Sequence, residues 1–178
     1  FRPDVLMDAE RIKALLVELG ERLAERGIEA RMFVVGGAAM ALGFSRTRVT
    51  RDIDAIFEPK TSIYSEATKM AEEHHLPPDW LNDGVKGLVP DRRDQEVGTE
   101  FTTRGIAVQI AGARYLFAMK SMAARAEGDL EDLRVLAAEL GMTSVDAAID
   151  LVEEYYGPER IPPRTRYVLE EALAAPPT

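Results

Sequence analysis

Cysteine is absent from this chain of 178 residues. Neither a disulfide framework nor a thiolate metal site can therefore form, and the composition favours the reducing environment of the cytoplasm. The chain also lacks any apolar run approaching the roughly 18 residues that a membrane-spanning helix needs. We therefore expect a cytoplasmic protein with no membrane partner.

An excess of basic residues is also missing. The 22 Lys and Arg against 31 Asp and Glu give a formal net charge of −9, which repels polyanions at long range and argues against general affinity for nucleic acids, DNA and RNA alike. A local patch can override the total charge, and Arg46, Arg48 and Arg51 form such a cluster. Two interpretations stay open: these arginines face a phosphate group, or they are solvated side chains of a loop.

Periodicity of the apolar residues predicts an α+β fold, a small mixed β-sheet flanked by helices with a helical C-terminal half. We expect residues 1–112 to form a core with an N-terminal helix, and 113–178 to form a helical region packed as part of the same unit. The middle, 79–94, has no clear period and is predicted to be an irregular connection with room for a short helix. The predicted helices are 8–26, 38–42, 61–75 (capped by Thr61 or Ser62), 114–126, 129–140, 144–156 and 164–174, and the strands are 32–35, 53–57, 97–103 and 106–111.

Two carboxylates, Asp52 and Asp54, lie two positions apart at the start of the second predicted strand. Side chains alternate along a strand, so both are expected on the same face. Two neighbouring carboxylates repel unless a cation lies between them, and Mg²⁺ prefers oxygen ligands of this kind. The pair therefore predicts a magnesium site, with two solvated aspartates on an exposed strand face as the alternative.

A glycine pair, Gly36 and Gly37, separates the first strand from the short alanine-rich helix. Glycines let a phosphate approach the main chain, and the start of a helix offers unpaired N–H groups. This geometry favours a phosphate-binding turn. The alternative is a tight turn that only packs the helix onto the strand.

These segments together resemble the signature of the DNA polymerase beta-like nucleotidyltransferase superfamily. The resemblance rests on Val-Gly-Gly-Ala-Ala at 35–39 and Arg-Val-Thr-Arg-Asp-Ile-Asp at 48–54. It implies that Asp52 and Asp54 hold Mg²⁺, and that Gly36, Gly37, Arg48 and Thr50 contact the nucleotide.

A second segment extends the resemblance to the AbiEii-like and MenT-like toxin nucleotidyltransferases. Here the sequence is Tyr-Leu-Phe-Ala-Met-Lys at 115–120, followed by Asp-Leu-Glu-Asp-Leu at 129–133. The resemblance implies that Lys120 and a later aspartate complete the active site. Lys120 lies on an apolar helix face, so its ammonium must find an anion or reach water. We expect Asp132 to take the site role and Asp129 to cap the next helix.

One position departs from the superfamily. Many members carry a third carboxylate on a later strand as the base for the incoming hydroxyl group, whereas this chain has Gln109 there. A glutamine cannot accept that proton. Either Asp132 or Lys120 takes over, or the protein binds a nucleotide without turning it over.

The resemblance implies transfer of a nucleoside monophosphate from an NTP to an acceptor, with Mg²⁺ as cofactor. Toxin-like relatives modify the 3′ end of tRNA, which would give this chain a tRNA acceptor and a cognate antitoxin as partners. A protein hydroxyl group and a small molecule such as an aminoglycoside stay open as acceptors. A catalytically degenerate nucleotidyltransferase that binds an NTP or a partner protein is the alternative function.

Overall fold

The computed structural model describes residues 5–94, 100–123 and 127–174. It confirms the predicted α+β class with a helical C-terminal half. The helices are α1 (Ala9–Glu25), α2 (Gly36–Gly43), α3 (Lys60–His74), α4 (Ala113–Ala123), α5 (Glu127–Leu140), α6 (Val145–Tyr156) and α7 (Arg164–Leu173), and the strands are β1 (Ala30–Val35), β2 (Ile53–Glu58), β3 (Leu81–Asn82), β4 (Glu100–Thr102) and β5 (Ile106–Ile110).

The five strands form one mixed sheet in the order β3-β2-β1-β5-β4. Strand β1 runs antiparallel to β2 and parallel to β5, β2 is parallel to β3, and β4 is antiparallel to β5. In this register Val35, the last residue of β1, lies opposite Asp54 of β2. The glycine pair that follows β1 is thereby brought beside the start of β2.

One face of the sheet is buried against α1, α2 and α3, and the other face carries the polar residues. Along β2, Ile53, Ala55 and Phe57 are buried, whereas Asp54 and Ile56 are half-buried. We call the side of Asp54 and Ile56 the second face. The core of the first face also contains Met32, Val34, Val108, Ile110, Leu15, Leu16, Leu19, Ile63 and Met70.

Helix α1 follows the sequence prediction within one residue at each end. Asp8 is its N-cap and accepts a hydrogen bond from the N–H of Arg11 at 2.8 Å. Just before this helix, Met7 and Thr50 exchange two backbone hydrogen bonds of 2.8 and 3.0 Å. The start of the chain thus fixes the loop that leads into β2.

One expectation in the middle of the chain is wrong, and another is confirmed in part. Helix α3 starts at Lys60 with Pro59 as N-cap and no side-chain capping bond, so neither Thr61 nor Ser62 caps it. The predicted irregular connection does contain a short helix, the 3₁₀ turn Gly84–Gly87, but it also contains β3, which pairs in parallel with β2. Proline at the N-cap position and a strand of two residues leave too little pattern to be recognised in sequence.

Among the described residues the chain divides into two compact units, 5–87 with 100–111, and 88–94 with 112–123 and 127–174. The expected division was a single break after residue 112. Residues 88–94 instead cluster with the helices, because the hydroxyl of Tyr156 donates to the carbonyl of Leu88 at 2.6 Å and Asp94 accepts from the N–H of Gly112 at 2.7 Å.

The second unit consists of α4 to α7 packed on one another around buried apolar side chains. Helix α5 begins at Glu127, so Asp129 lies within its first turn and is not the N-cap that we expected. Parts of two predictions, strand residues 97–99 and helix residues 124–126, lie outside the described residues. No helix in the described ranges is long and apolar enough to cross a membrane. The buried core of this unit includes Leu116, Phe117, Leu133, Leu136, Val152 and Leu169.

Candidate functional site

The glycine pair forms the junction between β1 and α2, as the sequence predicted. Gly36 has φ of +64°, in the left-handed region that glycine adopts without strain, and it starts α2 directly after the strand. The N-cap residue, Val35, has no side-chain group that makes a capping hydrogen bond. The first N–H groups of a helix lack intrahelical partners, so this junction has donors suited to an anion.

Asp54 lies against this junction. A Cβ added at Gly36 would lie 3.0 Å from Oδ2 of Asp54 and 3.4 Å from its Cβ. The absence of a side chain at Gly36 therefore makes room for the Asp54 carboxylate, and the register of Val35 opposite Asp54 explains the approach.

Arg48 and Thr50 meet at the second glycine. A Cβ at Gly37 would lie 3.0 Å from Nη2 of Arg48 and 3.0 Å from Oγ1 of Thr50. The Thr50 hydroxyl donates to the backbone carbonyl of Asp52 at 3.0 Å, and Thr50 is only 8% exposed. Thr50 thus shapes the bend before β2, and Arg48 brings a cation to the same glycine.

Asp52 lies in the bend just before β2. It is half-buried, like Asp54 and Ile56, so it continues the alternation of buried and half-buried residues along the strand. It borders a cavity of about 560 Å³ that Arg48, Thr50, Arg51 and Asp79 also line, together with Leu6, Val49 and Pro77. Burial raises the pKa of Asp52, and the negative charge of Asp79 raises it further. A hydrogen bond from Asn82 and the charge of Arg51 partly offset both effects.

Asp79 and Asn82 were not predicted as site residues. The Asn82 amide donates to the Asp52 carboxylate and, at 3.0 Å, to the backbone carbonyl of Asp79. Its Oδ1 accepts from the N–H of Gly84 at 3.0 Å. These residues lie about the two-residue strand β3, which pairs Asn82 with Asp54, so only the strand pairing could have revealed them.

A group of side chains bonded to Asp83, the residue that follows β3, fixes this loop. The Tyr64 hydroxyl donates to Asp83 at 2.5 Å, and Lys60 forms an ion pair with the same carboxylate at 2.6 Å. The hydrogen bond from Lys60, followed by that from Tyr64, lowers the pKa of Asp83. The residue next to Asn82 is therefore held as a charged anchor, which keeps Asn82 in place.

Lys120 and Asp132, which the resemblance assigned to the site, contact each other in the second unit. The Lys120 ammonium lies 2.7 Å from Asp132 and 3.0 Å from Asp129, and the side chains of Lys120 and Asp132 are 11% and 3% exposed. The lysine on the apolar face of α4 has thus found its anions on α5. Asp129, expected as a cap, is part of this ion-pair group instead.

Gln109 lies on the second face of the sheet, where it is exposed. It pairs in register with Phe33 of β1, two residues before Val35, the partner of Asp54. Gln109 borders a different cavity, of about 480 Å³, together with Phe33 and Ile56. The cavity beside Asp52 is therefore lined by different residues from the cavity beside Gln109.

The start of β2 carries ligands of the type that would hold magnesium. Asp52 and Asp54 offer hard carboxylate oxygens, the ligand type that Mg²⁺ prefers. Burial raises the pKa of Asp52 and the charge of Asp79 raises it further, and a divalent cation would relieve that repulsion. Another group, Glu18, Glu73 and His74, has ligand atoms within 4.8 Å of one another, but Arg22 already forms ion pairs with both glutamates.

Searches against models of protein families and against curated proteins find no match to this chain.

Proposed function

We propose that this chain is a nucleotidyltransferase of the DNA polymerase beta-like superfamily, acting in the cytoplasm on an NTP. The observation that carries the proposal is the meeting of Asp54, Arg48 and Thr50 at the two glycines between β1 and α2. A carboxylate, a cation and the N–H groups of a helix start around a glycine junction are the parts needed to hold a metal-bound triphosphate.

Each residue at the junction has a role in the proposed transfer. Asp52 and Asp54 would hold Mg²⁺, which when bound neutralises the phosphates and aligns the α phosphorus for in-line attack. The N–H groups of Gly36 and Gly37 donate to phosphate oxygens. Arg48 offsets the charge that develops as pyrophosphate leaves, and Thr50 holds the backbone of Asp52 in place.

Lys120 and Asp132 enter the proposal through the resemblance. The two side chains form an ion pair with each other, and the Asp132 side chain is only 3% exposed. Their contact fixes α5 to α4, and a role toward substrate would require this ion pair to open. We therefore do not assign the proton of the acceptor to Asp132.

The acceptor that we propose is the 3′ end of tRNA, with the chain acting as the toxin of a toxin-antitoxin system. The arginine cluster favours a polyanionic acceptor, since Arg46 and Arg51 are exposed and Arg48 is half-buried. An antitoxin would then be the partner protein that restrains this activity.

A degenerate nucleotidyltransferase that binds an NTP without transfer is the second candidate. The observation that favours it is Gln109, an exposed residue of the second face that cannot accept a proton. Calorimetry with NTP and Mg²⁺, combined with an assay for pyrophosphate, separates the two. A binder saturates with NTP and releases no pyrophosphate.

The direct test uses each of the four NTPs labelled at the α phosphorus, Mg²⁺ and total tRNA. Wild-type protein is expected to transfer label to tRNA, and the Asp52→Asn, Asp54→Asn double variant to lose at least about 10³-fold in rate, since it lacks both metal ligands. The matched control is Asp91→Asn, Asp146→Asn, two aspartates whose side chains are 98% and 83% exposed. Equal labelling by both double variants would rule out the proposed site.

A further inference from the structure

The cavity beside Asp52 contains a second carboxylate, that of Asp79, which is exposed. Burial raises the pKa of the Asp52 carboxylate, and the negative charge of Asp79 on the same cavity raises it further. Asp52 and Asp79 are the carboxylates among the described residues that line this cavity.

Asp79 is held in place by its buried neighbour. Trp80 is fully buried, and its ring N–H donates to the carbonyl of Ala67 at 2.9 Å. The N–H of Trp80 closes a turn onto the carbonyl of Pro77 at 3.0 Å, and its carbonyl accepts from the N–H of Ile53 at 2.6 Å. The main chain at Asp79 is therefore tied to both α3 and β2.

Asn82 links the two carboxylate positions. One amide group donates both to the Asp52 carboxylate and to the backbone carbonyl of Asp79. Asn82 thus contacts both positions, the side chain of Asp52 and the main chain of Asp79. Such contacts help to keep catalytic groups in a fixed arrangement.

The cavity combines anions, cations and an apolar wall. Arg48 and Arg51 bring positive charge, whereas Leu6 and Val49, which are 56% and 36% exposed, contribute apolar surface. A hydroxyl-bearing molecule with a flat apolar part would find both a hydrogen-bond acceptor and a packing surface there. The exposed carboxylate of Asp79 is suited to accept that hydroxyl proton.

We propose that Asp79 is a further catalytic residue of this site, the carboxylate that accepts the proton of the attacking hydroxyl group. This inference rests on the proposed nucleotidyl transfer and names the residue that performs its proton transfer. In the proposed function Asp52 would hold the metal, Asp132 forms an ion pair with Lys120, and Gln109 has no proton-accepting group.

The step balances without another reactant. The O–H bond of the acceptor breaks and its proton moves to an oxygen of Asp79. The hydroxyl oxygen forms a bond to the α phosphorus of the NTP, while the bond from that phosphorus to the bridging oxygen breaks. The electron pair of that bond leaves with pyrophosphate.

The test compares Asp79→Asn, Asp79→Glu and Asp52→Asn in the full chain, with α-labelled NTP, Mg²⁺ and total tRNA. Removing a general base is expected to lower kcat by about 10²-fold or more, with the KM for NTP changed by less than about threefold. Asp79→Glu is expected to restore part of kcat. Asp79→Asn is expected to bind NTP with Mg²⁺ like wild type, whereas Asp52→Asn does not.

Controls separate this role from a structural one. Glu72→Gln removes an exposed charge from α3 and is expected to leave kcat unchanged. Circular dichroism checks that Asp79→Asn is folded. If it is not, Asp79→Ser takes its place in the comparison, because serine also suits a turn.

Three outcomes overturn the inference. If Asp79→Asn keeps kcat within about threefold of wild type while Asp52→Asn is inactive, Asp79 is not the base and the proposed function stands. If Asp79→Asn raises the KM for NTP at unchanged kcat, Asp79 only binds substrate. If wild-type protein transfers no nucleotide to any acceptor, the proposed function and this inference both fail.

Discussion

Gly36 excludes a side chain for two independent reasons. Its φ of +64° is costly for any other residue, and an added Cβ would meet Oδ2 of Asp54 at 3.0 Å. We therefore predict that Gly36→Ala lowers the free energy of unfolding by about 1–3 kcal/mol and weakens NTP binding. Urea denaturation and calorimetry measure the two effects.

The matched control for this prediction is Gly87→Ala. Beyond the local backbone of Gly87, no atom in the described part of the chain lies within 4 Å of an added Cβ at this position, and its φ is not in the left-handed region. Stability and NTP binding are expected to stay at wild-type values. If both alanine variants behave alike, the close approach of Asp54 to Gly36 has no energetic consequence.

Glu66 is a buried carboxylate with charged partners. Burial acts to raise its pKa, but hydrogen bonds from Lys69 and Arg26, at 3.2 and 3.0 Å, outweigh burial and lower the pKa below its ordinary value of 4.5. The folded state thus binds the proton more weakly than the unfolded chain. Glu66 therefore stabilises the fold above the unfolded pKa, and this stability is lost as the pH falls through the folded pKa.

Because the pKa of Glu66 is lowered by folding, we predict that Glu66→Gln lowers the free energy of unfolding by about 1–2 kcal/mol at pH 7. This difference from wild type is expected to shrink as the pH falls below about 4.5. Urea denaturation between pH 7 and pH 3 measures it. Glu72→Gln, an exposed neighbour on α3, is expected to change stability by less than about 0.5 kcal/mol. A difference that grows on acidification would contradict the assignment.

At the scale of single residues, the sequence predicted the two aspartates and the glycine pair of the candidate site, but it did not predict Asp79 and Asn82. The spacing of Asp52 and Asp54, and the glycine pair, are local patterns. Asp79 and Asn82 reach Asp52 because a strand of only two residues pairs with β2, and no local pattern marks such a strand.

The contact between α4 and α5 depends on three charges in a largely buried place. Lys120 binds both Asp129 and Asp132. We predict that Lys120→Met costs about 3–5 kcal/mol, because it removes the ammonium that lies 2.7 Å from the buried Asp132 carboxylate. Asp132→Asn is expected to cost less, since Lys120 keeps Asp129.

Thermal and urea unfolding check the predicted order of stabilities. The measurements compare these two variants with the double variant Lys120→Met, Asp132→Leu. The double variant removes both charges and is expected to recover part of the lost stability. If Lys120→Met is no less stable than wild type, the ion-pair group does not hold these helices together.

Long elements were predictable because their apolar positions recur with a helical period. Helix α1 shows this, and it also shows what periodicity leaves out. Gly20 lies in the middle of α1, where glycine is unfavourable, and an added Cβ there would collide with Oγ1 of Thr103 in the turn between β4 and β5. The reason for that glycine is a long-range contact, which the helix pattern does not contain.

The charge of the whole molecule makes a polyanionic acceptor depend on a local patch. With a net charge of −9, tRNA would be attracted only near exposed arginines such as Arg46 and Arg51. We predict that the KM for tRNA rises steeply with salt, and that Arg46→Gln and Arg51→Gln each lower the logarithmic slope by roughly 0.7–1. Steady-state kinetics at several KCl concentrations measure this slope.

The control is Arg166→Gln, an exposed arginine of α7 that forms an ion pair with Asp146. Its slope is expected to match wild type. A KM that does not change with salt would exclude an RNA acceptor and favour an uncharged small molecule, while leaving the transfer chemistry intact.

The most direct measurement of the central claim is the binding of NTP by calorimetry, with Mg²⁺ and with EDTA in its place. The account predicts saturable binding that requires Mg²⁺ and that weakens by more than about 100-fold in both Asp52→Asn and Asp54→Asn. Binding of equal strength in EDTA, or unchanged in both variants, would contradict it.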